Sequence, residues 1–372
     1  MQTMLVRIAA FLILATSAGG QATNRASAPS LFQSLSQQAE AARDAKRLDE
    51  ALTLYKKALE LEASWEEGWW NAGNIAYDLN QYTECAADFS RLAALKPDLA
   101  PAWTMEGLCE YQSRDYSAAL KSLTQVQRMD FKEETELSRA ARLHLALVLT
   151  KLGYYEKAIV LLFDQTKIDQ KTPEIIVPAG IAGLRKPWTP PEVPESDRDK
   201  VLKLGDAMAA VMEGDKKGAV AKFDTVVRAY PKDPEVHYRY GAFLVGEDSD
   251  RGIEEIKKTL ELEPGHIPAL VALVRIYLKR DNPQTALPYA RKAVKLAPGD
   301  FNTHVALGRV LLATSDTAGA VRELELGVKL GPDNPEAHYS LGTAYGRVGR
   351  KADATRERLE SQRLRESAAN QP

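Results

Sequence analysis

The sequence has almost no net charge. Its 49 lysines and arginines nearly balance its 51 aspartates and glutamates, which leaves a formal charge of −2 at pH 7. No run of lysine and arginine is dense enough to form a stripe for a polyanion. Because no global field draws the protein towards nucleic acid or anionic lipid, we expect neither as a partner.

Catalytic motifs are also missing. The sequence contains no Walker loop, no His-Glu-x-x-His, no Gly-x-Ser-x-Gly and no Gly-x-Gly-x-x-Gly after a strand. Its carboxylates follow ordinary solvated helix surfaces. The sequence repeats described below include nearly every residue, so no segment remains for a catalytic domain. We therefore expect a protein that is not an enzyme and that holds no cofactor or metal.

Long hydrophobic runs are absent beyond the N-terminus. There, Arg7 precedes an apolar run over 8–15 that fades into small residues. This layout predicts a secretory signal peptide over 1–22, cleaved between Ala18 and Ala22. The alternative is a membrane anchor, but about 13 apolar or small residues fall short of the ~20 that span a bilayer. No cysteine follows the run, which argues against a lipoprotein. We expect an exported protein, periplasmic or secreted, with no stable membrane insertion after cleavage.

A period near 34 residues dominates the remaining sequence. One series of small or apolar residues marks it, each with a small partner twelve positions upstream. Such spacing predicts repeats of two antiparallel helices that cross where the small residues lie. The downstream series is Ala51, Cys85, Ala119, Ala158, Ala219, Ile253, Ala286, Ala320 and Ala354, and the upstream series is Ala39, Gly73, Gly107, Ala146, Ala207, Gly241, Val274, Gly308 and Gly342.

The pattern within each unit resembles the tetratricopeptide repeat (TPR). The second unit reads Trp69, Ala72, Gly73, Tyr82, Cys85, Phe89 and Pro97, and the eighth reads His304, Leu307, Gly308, Leu311, Ala320, Leu324 and Pro332. The resemblance implies an all-α fold, a right-handed solenoid (TPR superhelix) of about nine antiparallel helix pairs. It also implies a platform that binds other proteins, although the family serves many unrelated pathways.

The period divides the mature chain into two predicted arrays. Four repeats occupy 31–170, and five repeats occupy 196–368, ending in a polar capping helix. Between them, 171–195 contains one extra helix over 174–186, expected to pack over the fourth repeat, and a connection over 187–194. Four prolines in those eight residues favour an extended, stiff connection, so we place the boundary there.

The resemblance implies that the first helices of the repeats line a concave groove. Aromatic rings beside side-chain amides suit an extended peptide, and successive arginines favour carboxylates. The alternative is that these polar residues only keep the solenoid solvated. The first array contributes Trp70, Asn71, Asn74, Tyr77, Thr104, Met105, Leu108, Tyr111, Gln112, Leu143, His144 and Leu147; the second contributes Tyr238, Arg239, Arg275, Arg309, Tyr339 and Arg347.

Histidine and cysteine have structural explanations. His237, His304 and His338 occupy the repeat position that holds Trp69 and Trp103 elsewhere, which predicts a packing role rather than a metal or catalytic one. Cys85 and Cys109 fall on neighbouring antiparallel helices. They can form a disulfide in an oxidising compartment or remain as two buried thiols.

The resulting functional hypothesis is a non-catalytic scaffold that binds other proteins or extended peptides in the cell envelope or outside the cell. Two alternatives stay open. One is a self-associating structural component of the envelope, and the other is a glycan-binding solenoid in which Trp70 and Tyr111 serve as stacking platforms. The sequence does not identify the partner or the oligomeric state.

Overall fold

The computed structural model describes residues 30–129, 135–166, 172–247 and 249–369. The predicted signal peptide lies outside these ranges. Within them the chain forms nineteen α-helices and a 3₁₀ turn, and no strand occurs in this part of the chain. The all-α fold class built from helix pairs is therefore confirmed.

The chain forms two structural units, and the first ends with α8. It contains four antiparallel helix pairs, in which each second helix also packs against the first helix of the next pair. The helices are α1 (Leu31–Asp44), α2 (Leu48–Leu61), α3 (Glu66–Asp78), α4 (Tyr82–Leu95), α5 (Ala100–Gln112), α6 (Tyr116–Gln127), α7 (Glu136–Lys151) and α8 (Tyr155–Thr166).

The second unit begins with a helix outside the repeat pattern and continues with five pairs. Its helices are α9 (Pro173–Gly183), α10 (Glu195–Met212), α11 (Lys216–Ala229), α12 (Pro234–Leu244), α13 (Ser249–Leu262), α14 (Ile267–Lys279), α15 (Pro283–Leu296), α16 (Phe301–Ala313), α17 (Thr317–Leu330), α18 (Pro335–Arg347) and α19 (Lys351–Ala369). The 3₁₀ turn, Pro190–Glu192, lies between α9 and α10.

The small residues of the repeat lie where the two helices of a pair approach most closely. A Cβ atom placed on Gly73 would lie 2.7 Å from the Phe89 ring, and one on Gly308 would lie 2.5 Å from Leu324. These distances are shorter than van der Waals contact, so the helix backbones could not approach as they do with a larger residue. The spacing of small residues thus predicts the helix crossings correctly.

The turns inside the repeats share one backbone feature. Seven residues after the small residue of the first helix, Asn80, Arg114 and Ser315 adopt left-handed backbone conformations with φ of 59°, 67° and 68°. In other repeats a glycine takes this place, as at Gly153 with φ of 85°, because glycine adopts this conformation without steric cost. The turns at these positions therefore give their helix pairs the same short antiparallel connection.

The extra helix belongs to the second unit. α9 is close in extent to the predicted helix over 174–186, but it packs against α10 and contacts α12, whereas the sequence suggested packing over the fourth repeat. The boundary at the proline-rich segment 187–194 stays a prediction, and the division between the units falls between α8 and α9. The physical reason is an intimate backbone contact between α9 and α10, since Gly180 lies directly against the carbonyl group of Val201.

The final helix, α19, carries exposed ion pairs, among them Arg363 with Glu360 and Arg356 with Asp353. These ion pairs give α19 a polar outer surface. Among the helices of the described ranges, none combines the length and the apolar character that a membrane crossing requires.

Candidate functional site

A row of half-buried side chains joins three first helices of the first unit. On α3 it includes Trp70, Asn74 and Tyr77. Tyr77 hydrogen-bonds Gln112 of α5, and burial raises the pKa of its phenol while that bond partly offsets the rise. On the same helix as Gln112, Tyr111 meets the ring of His144 of α7 edge-on, with centroids 5.0 Å apart at 85°. We call these residues, together with Asn71, the first groove.

The aromatic rings of the first groove are held in place by second helices. Trp70 lies edge-on to the buried ring of Phe89 with centroids 5.4 Å apart. Tyr77 packs in the same way against Tyr82 at 5.5 Å, as does Tyr111 against Tyr116 at 5.7 Å. Rings fixed by such contacts lose little further freedom when a ligand covers their exposed edges.

Two amides stand among these rings. The side-chain nitrogen of Asn74 donates to the backbone carbonyl of Trp70 at 2.8 Å, which leaves its carbonyl oxygen available. The Nδ2 atom of half-buried Asn71 is enclosed and has no hydrogen-bond partner among the described residues. An enclosed donor without a partner costs about 1–3 kcal/mol. The available carbonyl oxygen of Asn74, and not the enclosed Asn71 nitrogen, is the amide group that a ligand can reach here.

Four residues expected to line the groove belong to the core instead. Met105 and Leu108 of α5 are only 4% and 1% exposed, and Thr104 and Leu147 are fully or almost fully buried as well. α5 is enclosed because it packs against α4, α6 and α7, and Thr104 donates to the carbonyl of Ala100 within its own helix. Leu143 and Gln112 remain half-buried at the groove.

His144 is a packing and contact residue. Its Nδ1 lies 2.8 Å from the carbonyl oxygen of Ala140, to which it can donate. Burial lowers the pKa of the imidazole, and the bond to Ala140 raises it by less. A neutral ring beside Tyr111 therefore contributes an apolar edge to the first groove at neutral pH.

In the second unit, the predicted row of four arginines is not formed. Tyr238 and Arg239 of α12 are only 8% and 7% exposed. Tyr238 packs against His266 with ring centroids 4.8 Å apart, and the Nε of Arg239 donates to the carbonyl of Gly183 in α9 at 2.9 Å. Arg347 turns to the backbone carbonyl of Leu312. Tyr238 and Arg239 therefore serve contacts inside the protein, whereas Arg347 remains an exposed residue.

Arg275 and Arg309 do share a small pocket between α14, α16 and α18. Arg275 is exposed, whereas Arg309 forms an ion pair with Glu336. Tyr339 is 52% exposed, and the guanidinium of Arg365 lies over its ring at 5.3 Å. The pocket is lined by Val271, Val274, Arg275, Leu278, Phe301, Asn302, Val305, Ala306, Arg309, Asn334 and Glu336.

The histidines share their repeat position with tryptophans, as predicted. In each case a ring N–H meets the backbone carbonyl six residues upstream, at 2.9 Å for Trp69 and 3.0 Å for Trp103. His237, His304 and His338 make the same bond at 3.0, 2.9 and 2.8 Å.

Sequence reasoning missed the second partner of each histidine. The Nδ1 atom lies 2.7 Å from a glutamate oxygen of the following helix in all three repeats. A histidine at the tryptophan position, with a glutamate 18 or 19 residues later, was the available signal. The glutamates are Glu255, Glu323 and Glu357.

Two further features lie beside the first groove. Cys85 of α4 and Cys109 of α5 are paired as a disulfide, with Cα atoms 5.9 Å apart, so the bond ties the second repeat to the third.

On α5, burial raises the pKa of Glu106, and it raises that of Glu110 to about 7, even though Ser122 hydrogen-bonds Glu110. Within the described ranges, no group of three or more histidine, cysteine or acidic residues is arranged to hold a metal ion.

Comparison with known proteins supports the repeat assignment. Two family models, both described as tetratricopeptide repeat, match residues 104–173 and 278–344. No curated protein matches the chain.

Among solved structures, MamA from Desulfovibrio magneticus RS-1 is 23% identical with a TM-score of 0.40, over 45% of this chain and 94% of that one. Yeast Tom70 is 12% identical with a TM-score of 0.37, over 91% of this chain and 85% of that one. These likenesses are too distant to carry an argument about function. The two matched segments support a tetratricopeptide-repeat assignment, and the helix pairs of both units agree with it.

Proposed function

We propose that this protein is a non-catalytic interaction scaffold and that its first groove binds an extended peptide segment of a partner protein. The observation that carries the proposal is the continuous row from Trp70 and Tyr77 of α3 through Tyr111 of α5 to His144 of α7. A row across three repeats matches an extended chain better than it matches a single small molecule.

The chemistry of the groove favours a peptide backbone. Trp70 and the tyrosines offer apolar area from rings that are already fixed by Phe89, Tyr82 and Tyr116. The side-chain nitrogen of Asn74 donates to Trp70, so its carbonyl oxygen is left to accept a hydrogen bond from a peptide N–H. Tryptophan and tyrosine are among the residue types that dominate binding energy at protein interfaces.

We further propose that the protein acts outside the cytoplasm. The support is the signal-peptide pattern over 1–22 and the Cys85–Cys109 pair, since disulfides persist in oxidising compartments. Mass spectrometry of the native protein should find an N-terminus between Gly19 and Thr23. Native protein that retains Met1 would contradict export.

Partner capture from envelope extract by the purified chain tests the binding proposal. Truncating a central anchor typically costs ~2 kcal/mol or more, which is about a thirtyfold loss of affinity. We expect this loss for Trp70→Ala. The control is Tyr154→Ala, because Tyr154 is a large aromatic side chain with exposed surface that lies outside the groove, and its removal should leave capture unchanged.

Equal effects of the two substitutions on capture would show that the first groove is not the binding site. Loss of a carbohydrate ligand instead of a protein on Trp70→Ala would favour the glycan-binding alternative, and self-association without any captured partner would favour the structural one.

A further inference from the structure

α9 lies against α10 at backbone distance. A Cβ atom on Gly180 would overlap the carbonyl oxygen of Val201, and one on Gly205 would overlap the carbonyl oxygen of Ile176. A Cβ atom on Gly183 would lie 2.5 Å from the sulfur of Met208. Contacts this close require small residues on both helices, so the surface of α10 is shaped to receive a small-residue helix.

The part of α10 that α9 covers is its groove side. The contacted residues are Leu204, Gly205 and Met208. In sequence they lie three positions before, two positions before and one position after the small residue Ala207. In the second repeat the same offsets from Gly73 give three members of the first groove: Trp70, Asn71 and Asn74. α9 therefore occupies in the fifth repeat the surface that the second repeat leaves open.

α9 also reaches the groove side of the sixth repeat. Arg239 lies two residues before Gly241, so its repeat position is that of Asn71 in the second repeat. It donates to the carbonyl of Gly183 at the end of α9. Just beyond that end, Arg185 forms an ion pair with Glu235 of α12 at 3.5 Å. The C-terminal end of α9 is thus contacted by one buried cation, Arg239, and one carboxylate, Glu235.

The helical state of α9 depends on this docking. The helix has only 11 residues and contains Pro178 in its interior, as well as Gly180. Proline removes an internal hydrogen bond and glycine disfavours helix, and isolated helices of this length are unstable in water even with good helix formers. When α9 leaves its surface, it should therefore unfold.

We propose that α9 is an exchangeable occupant of the groove formed by the fifth and sixth repeats, and that a partner helix of the same pattern takes its place. Such a helix has small residues three apart facing α10, a C-terminal carbonyl facing Arg239 and a basic residue directly afterwards for Glu235. The short connection to α10, residues 184–194, keeps α9 at high local concentration, so the groove is closed until a competitor displaces it.

Hydrogen exchange of the wild-type full chain gives the first test. If α9 opens on its own, its amides exchange about tenfold or more faster than those of α10 and α12. Arg239→Met removes the donor to Gly183 and should accelerate exchange in α9 by about tenfold again, while α16–α19 stay unchanged. Exchange in α9 that is as slow as in α10 would show that the helix does not leave, and the proposal would be wrong.

Binding of a labelled peptide with the sequence of residues 172–186 gives the second test. Gly180→Val in the full chain prevents its own α9 from docking, because the added side chain would overlap the backbone at Val201. This variant should bind the unmodified peptide at least about tenfold more tightly than the wild-type chain, in which the tethered α9 competes. A control peptide that carries the same Gly180→Val change should bind neither chain.

Three results would overturn the proposal. The first is equal peptide affinity for both chains, which would place binding elsewhere. The second is no peptide binding by a Gly180→Val chain whose α10–α13 remain protected from exchange. The third is loss of protection throughout α10–α13 in that variant, which would make α9 an integral part of the fold rather than an exchangeable occupant.

Discussion

The pairing of His237 with Glu255 predicts that the second unit is more stable at mildly acidic pH. Both neighbours of the ring are acceptors: the carbonyl of Pro231 lies 3.0 Å from Nε2, and a carboxylate oxygen of Glu255 lies 2.7 Å from Nδ1. Burial lowers the pKa of His237, but the bonds to Glu255 and Pro231 outweigh burial and the net pKa is raised.

The sign of the pH effect follows from this raised pKa. The ion pair stabilises the fold fully below the unfolded histidine pKa of about 6.5 and is lost as the pH rises through the folded value. A hydrogen bond to a charged group contributes about 1.5–3 kcal/mol and a neutral one about 1 kcal/mol. Glu255→Gln should therefore cost about 1–2 kcal/mol at pH 6 and much less at pH 9.

Hydrogen exchange in α12 and α13 measures this locally, which suits an array whose repeats open separately. Relative to wild type at the same pH, exchange in Glu255→Gln should be about 5- to 30-fold faster at pH 6 and nearly equal at pH 9. Glu254→Gln, at an exposed neighbouring position, is the matched control and should behave as wild type. The same acceleration at both pH values would refute the reasoning.

Two further predictions concern the repeat contacts. Gly308→Ala places a Cβ atom 2.5 Å from Leu324 and should destabilise the second unit by about 1–3 kcal/mol, whereas Gly299→Ala, with open space around it, should leave the melting temperature almost unchanged; equal effects would contradict the crossing model. The bond between Cys85 and Cys109, 24 residues apart, should contribute about 3 kcal/mol through loop closure, so reduction should lower the denaturation midpoint of the first unit. An unchanged midpoint on reduction would show that the bond does not contribute.

The sequence predicts well what depends on neighbours within one repeat. The small residues at the helix crossings and the equivalence of His237 with Trp69 follow from a period that every pair must satisfy. Positions that depend on other elements were harder to predict. Leu108 has a groove-like offset but is buried by three surrounding helices, and Arg239 is covered by α9, a segment without a repeat pattern whose docking surface no spacing reveals.

Photo-crosslinking most directly tests the central claim that the first groove is the binding surface. A photoreactive residue is placed at Asn74, in the groove, or at Arg91, which is exposed on the second helix of the same repeat. Each full chain is then illuminated in envelope extract. The account predicts a specific protein adduct from position 74, competed by excess unmodified chain, and none from position 91. An adduct from position 91 with none from position 74 would contradict it.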